Sequence, residues 1–130
     1  MTPIQIATCQ NLFDNNPTPT AIFHAASLKL EHANPAILKL WDRTSDIIGL
    51  SLLDFMPELA DQQYPELLKN VRYTNKAHQE YGAEVKINKG DKLNSVYMDY
   101  SYSPIGKASS LPTGVLVIAT ETMYSVVRNI

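Results

Sequence analysis

Cysteine is nearly absent. Cys9 stands alone among 130 residues, so no internal disulfide can form, and no framework of bridges marks an oxidising compartment. Charge of one sign is also missing. Eleven Lys and Arg face 13 Asp and Glu, a formal net charge of −2, with a pI near 5.8. That balance gives nucleic acid or an anionic membrane no electrostatic claim as main partner. Long hydrophobic runs are lacking: the longest aliphatic stretch, Val115 to Ala119, is far too short to span a bilayer. No signal peptide opens the chain, and the expected compartment is a reducing cytoplasm. There is no Gly-rich phosphate loop and no HExxH, and no serine carries the glycines of a nucleophile elbow. A Ser-His-Asp set can be assembled on paper only. No repeat or low-complexity tract is visible. What remains is an ordinary globular composition, 45% apolar and 18% charged. It suits a single mixed α/β domain large enough to bury a core without staples.

Along the chain, Ile4 to Phe13 places apolar residues at roughly helical spacing and predicts a short flanking helix. Asn15-Asn16-Pro17-Thr18-Pro19 breaks it. Thr20 to Ala25 and Leu28 to Ala33 are short and apolar around a small-residue turn, which predicts an antiparallel hairpin. Asn34-Pro35 is a helix start, asparagine as N-cap and proline at the first helical position. Ile37, Leu38, Leu40 and Trp41 then share one broad face. Ser45 to Ile48 reads as a second short helix with Gly49 as its left-handed cap, and Leu52 to Met56 as a single turn stopped before Pro57. The clearest helix runs from about Asp61 to Asn75, with Tyr64, Leu67, Leu68 and Val71 at i, i+3, i+4 and i+7. Its regular part starts near Tyr64, because Pro65 is tolerated only in a first turn.

The last third changes period. Tyr81, Ala83, Val85 and Ile87 alternate with Gly82, Glu84, Lys86 and Asn88. After Lys89-Gly90-Asp91, Val96, Met98, Tyr100 and Tyr102 alternate with Tyr97, Asp99, Ser101 and Ser103. This is the pattern of antiparallel strands with one face on a core. Pro104 is expected to end the second strand, Ile105 to Pro112 to form a loop, and Gly114 to Thr120 a third, nearly all-apolar strand. Two leading strands are marginal alone. All five are therefore expected in one antiparallel sheet with the helices packed on one face, an α+β architecture with an N-terminal flanking helix.

That order, with certain residues at certain places, resembles the PAS sensor domain. Ala21-Ile22-Phe23-His24 through Ala33-Asn34-Pro35-Ala36 looks like the first two PAS strands running into the capping asparagine. Asp46-Ile47-Ile48-Gly49 resembles the family's short helix ending in glycine, and Phe55-Met56-Pro57-Glu58-Leu59 the turn before its long helix. Pro104 and Gly114 to Glu121 match the end of the fourth strand and the whole fifth. The resemblance covers about residues 13 to 123. It divides the chain into a flanking helix (1–14), a PAS domain (15–123) and the start of a connector (124–130). Pro57-Glu58-Leu59 and Leu67-Leu68-Lys69-Asn70-Val71 look most like PAS domains of bacterial sensor histidine kinases.

The resemblance implies a non-catalytic signalling input module, excised from a longer two-component protein, with the kinase machinery outside these residues. In such proteins an Asp-x-Thr often follows the last strand and couples the sheet to an output helix. Here Glu121, Thr122 and Met123 stand in its place. The expected assembly is a homodimer through the N-terminal helix and the sheet's outer face, with the tail Val126-Val127-Ile130 as a connector. A ligand-binding module of a transcriptional regulator would use the same fold, and a small α+β enzyme would need polar residues converging in the cleft.

The flavin-photoadduct class of the family needs a cysteine near residues 57 to 65, and the haem class a histidine in the long helix. Neither is present, and Cys9 precedes the domain. No covalent flavin and no His-ligated haem are expected, while non-covalent binding of a flavin or other small molecule stays open. The default pocket lies between helices and sheet. Its candidate lining is Phe23, Trp41, Phe55, Leu68, Met98, Tyr100 and Tyr102, and the competing reading is that these simply fill the core. His24, His32 and Glu31 have the chemistry of metal ligands, but no third strong ligand is apparent. His78 is expected in a distant loop, and exposed strand histidines are the plainer reading, so no metal site is assigned.

Overall fold

The computed structural model describes residue 2, residues 10–106 and residues 110–122. The part of the flanking helix that falls within these, residues 10–15, is helical. Cys9, the rest of the segment from Ile4, Met123 and the tail Val126-Val127-Ile130 lie outside the described residues.

Local chemistry places each element. Strands β1 (Thr20–His24) and β2 (Leu30–Ala33) form the leading hairpin. Asn34 then starts α1 (Pro35–Trp41), its Oδ1 accepting from the Ile37 N–H at 3.0 Å. Two 3-10 turns (Ser45–Ile47 and Pro57–Leu59) bracket the one-turn helix α2 (Leu52–Phe55). The long helix α3 (Tyr64–Thr74) ends on Asn75 in the left-handed conformation, a role asparagine shares with glycine. Strands β3 (His78–Lys89), β4 (Lys92–Ile105) and β5 (Gly114–Glu121) complete the chain.

All five strands join one antiparallel sheet in the order β2-β1-β5-β4-β3. The last strand sits in the middle, with Thr20 opposite Ile118 and His24 opposite Gly114. This explains why β5 is nearly all apolar: Val115, Val117 and Ala119 are buried on the inner face. They pack with Ala21 and Phe23 of β1, and with Met98, Tyr100 and Tyr102 of β4, beneath Ile37, Trp41, Phe55, Leu68 and Val71 of the helical layer. Among the described residues, no helix is long and apolar enough to cross a membrane.

The structure corrects the sequence reading in five places. The hairpin strands are shorter at the turn, because Leu28 adopts a positive φ of 57° and Lys29 pairs with Ser51. Gly49 has the expected positive φ, 96°, but its N–H goes to Leu30 O at 2.8 Å, so it joins the helical layer to β2 instead of capping a helix. Pro104 does not end β4, which continues to Ile105 against β5. The last β3 partner is His78 opposite Tyr102, so a residue without an N–H interrupts no ladder with β3 there. His78 lies in β3, not in a distant loop. Finally, β3 does not alternate evenly. The register shifts between Glu80 and Ala83, with Gly82 at φ 66°. This bulge reverses the parity of everything before it. Ala83 and Val85 stay opposite the β4 core residues Met98 and Val96, Ile87 lies opposite Asn94, Glu80 and His78 turn to the same side, and Tyr81 is left 62% exposed.

Candidate functional site

Between the inner sheet face and the helices lies a cavity of about 50 Å³. Phe23, Trp41, Leu68, Met98, Tyr100 and Tyr102 line it, together with Tyr64, which sequence reasoning placed only on a helix face. Phe55 does not reach the space. It stands behind, stacked on Phe23 with centroids 6.3 Å apart and tilted against Trp41 at 5.7 Å. The aromatic residues therefore do both things considered for them: they fill most of the core and wall what is left. A space of this size takes one or two water-sized groups.

Behind Tyr100, outside the cavity lining, the bulge builds a polar cluster. The His78 Nε2 lies 3.0 Å from Glu80 Oε1 and 3.1 Å from the Tyr100 hydroxyl. The Tyr64 hydroxyl donates to Glu84 O at 2.6 Å, and its ring meets Tyr100 edge-on at 5.6 Å. Tyr100 and Tyr102 stand 4.7 Å apart, centroid to centroid. Burial pushes the hydroxyl pKa of Tyr64, Tyr100 and Tyr102 above the usual tyrosine value. Nearby Glu80 and neighbouring tyrosines push Tyr100 and Tyr102 further up, and Glu80 and Glu84 do the same for Tyr64. All three stay neutral hydrogen-bonding groups at physiological pH. His78 and Glu80 escape the sequence reading because the alternation is recognisable only from Tyr81 onward, which leaves His78 in a loop, whereas β3 starts at His78. The available signal was Gly82, since an isolated glycine inside a strand pattern marks a bulge.

A second polar group ties the helical layer to the free edge of β3. Arg43 Nη2 pairs with Glu58 Oε2 at 2.7 Å. Its Nε donates to Phe55 O, and its Nη1 to Trp41 O and Asn88 O. Glu58 Oε2 also accepts from the Asn88 N–H at 2.8 Å, while Oε1 is buried with no hydrogen-bond partner. One step along, the Gln62 side-chain amide bonds both the N–H and the carbonyl of Lys86, each at 2.9 Å. Side chains thus take the places a sixth strand would fill, which shields the edge from foreign strands.

The remaining candidates do not converge. The His24 Nδ1 is held 3.0 Å from Ser27 Oγ, and the His32 ring packs edge-on against Phe13 at 6.3 Å. Both histidines and Glu31 are exposed. Among the described residues, no group of three or more His, Cys, Asp or Glu is placed to hold a metal. At the end of β5, Glu121 is exposed and Thr122 donates its backbone N–H to Tyr97 O at 2.7 Å.

Compared by sequence, the chain matches no family model and no curated protein. Its three-dimensional arrangement does find relatives. The PAS domain of nitrogen regulation protein NR(II) from Vibrio parahaemolyticus superimposes with a TM-score of 0.64 at 19% identity, over 88% of this chain and 97% of that one. The chain has the PAS fold. A second PAS domain, from a two-component sensor histidine kinase, gives a TM-score of 0.65 at 10% identity, over 94% of this chain and 100% of its own. An RNA-binding Light-Oxygen-Voltage receptor gives 0.73 at 13% identity over 99% of this chain, which spans only 36% of that receptor. The PAS fold accounts for the single five-stranded sheet with helices on one face.

Proposed function

We propose that this chain is a sensory or regulatory PAS domain, the cytoplasmic input module of a bacterial two-component sensor histidine kinase whose catalytic machinery lies outside these residues. It acts without catalysis of its own, by binding a small molecule, by dimerising, or by both. The observation that carries this reading is a PAS sheet cupping a residual aromatic cavity lined by Tyr64 and Tyr100, with His78 and Glu80 hydrogen-bonded in line behind the Tyr100 hydroxyl. The likeness to a PAS domain from a sensor histidine kinase supports the choice of output. A change in the cavity would alter how the helices pack on the sheet, and paired flanking helices of a dimer would pass that change on. The outer sheet face, where Ile118 is 36% exposed beside half-buried Ile22 and Leu116, supports a homodimer that also uses the N-terminal helix.

Native mass spectrometry of the protein purified from a bacterium, with an absorbance spectrum, tests both modes. The expected result is a dimer mass, with or without a retained small molecule, and no visible band. A chain that stays monomeric at millimolar concentration and retains nothing would defeat the reading.

A further inference from the structure

Beside the cavity, on the solvent side, an open cleft of about 730 Å³ lies between the start of α3 and β3. Among the described residues, Tyr64 is the one side chain that lines both spaces. Its hydroxyl donates to Glu84 O and its ring meets Tyr100 edge-on, while Gln63 adds a side-chain hydrogen bond and the residue is buried in the core. The first turn of α3 that carries it is not pinned by a side-chain cap, since Gln63 makes no capping bond. The partition is polar on its other side: Glu80 lines the cleft, bonds to His78, and His78 reaches the hydroxyl of Tyr100, which lines the cavity.

We propose that cavity and cleft are the inner and outer parts of one binding site, with Tyr64 as the door between them, and that its ligand is a small molecule with a short alkyl tail and an uncharged or cationic polar head. This deepens the sensory reading and rests on it. The inner space accepts one or two carbon-sized groups against apolar walls. The outer space presents the carboxylates of Asp61, Glu80 and Glu84 against the single ammonium of Lys86, a field that disfavours an anionic head. Swinging Tyr64 outward releases its hydroxyl from Glu84 O, exposes a buried ring and joins the two volumes.

The test uses 1-propanol, propylamine and propionate as probes, followed by NMR of the full chain. Propanol and propylamine are expected to shift the Leu68 and Met98 methyl signals inside and the Ala83 amide outside along one saturation curve. Propionate is expected to bind about tenfold more weakly, and Glu80→Gln to narrow that gap. Tyr64→Phe keeps the ring but loses the latch, and should speed probe exchange about fivefold with little change in affinity. Shifts confined to the cleft, equal binding of propionate, or unchanged exchange in Tyr64→Phe would overturn the two-part site. The wild-type and Glu80→Gln measurements decide the question even if Tyr64→Phe folds poorly. Failure here, with a molecule still retained in native mass spectrometry, refutes the door and spares the sensory reading. The converse pattern spares the site and refutes the sensory role.

Discussion

Asn34 is fully buried and its side chain makes four hydrogen bonds. Its Oδ1 accepts from the N–H groups of Thr20 and Ile37, and its Nδ2 donates to the carbonyls of Thr18 and Asn16. One side chain therefore caps α1 and also ties it to the entry of β1. Asn34→Ala removes a cap and strands a buried donor, and urea unfolding should show a loss of about 2–4 kcal/mol. The three inner tyrosines make a pH prediction. Their folded pKa values are raised, while an unfolded tyrosine ionises near pH ~10. Above that pH the unfolded chain binds fewer protons than the folded one, so stability falls as pH rises, and it is fully present below. Urea titrations at increasing alkaline pH should show this decline, and Tyr102→Phe should make it shallower.

At the scale of elements, the bond between the helical layer and β3 depends on Arg43 and Glu58, whose side chains are 16% and 4% exposed. Arg43→Ala leaves a buried carboxylate without its partner and should cost about 3–5 kcal/mol. Replacing both, as Arg43→Met with Glu58→Leu, should cost less than the single change, because no charge is left stranded. Chemical denaturation of the two variants decides it. The bulge in β3 depends on a left-handed backbone at Gly82, whose N–H is held by Asp99 Oδ1 at 2.8 Å. Gly82→Ala should cost about 1–2 kcal/mol from backbone strain, and it should loosen His78 and Glu80, visible as altered His78 ring signals in NMR. The period-two pattern of Val85, Ile87, Val96, Met98, Tyr100 and Tyr102 was legible in the residues themselves. The part of β3 before Gly82 was not: a bulge is settled by which β4 residue each strand residue meets, and that partner lies across a hairpin.

For the molecule as a whole, the sheet closes only when β5 inserts between β1 and β4, pairing residues as far apart as Thr20 and Ile118. Every strand and helix of that closure falls within residues 20–121. Residues 15–123 alone are therefore expected to melt within about 5 °C of the full chain. Scanning calorimetry of the two would show it, and a much lower transition would mean that the flanking helix belongs to the core.

The residues alone determined what depends on neighbours a few positions away. These are the cap at Asn34-Pro35, the apolar face of α3, the turn at Lys89-Gly90-Asp91, the alternation that makes β4 two-faced and the nearly all-apolar run that marks β5 as a central strand. Such features follow from backbone dihedral preferences and side-chain period, which are local. Tertiary structure decided the rest. It set the register of β5 against β1 and β4, let β4 run through Pro104, turned His78 and Glu80 to the inner side, and closed the aromatic core down to a small cavity with Tyr64 at its edge. Those outcomes depend on hydrogen-bond partners and packing volumes supplied by distant segments, and no stretch of chain carries its partner's register in its own sequence.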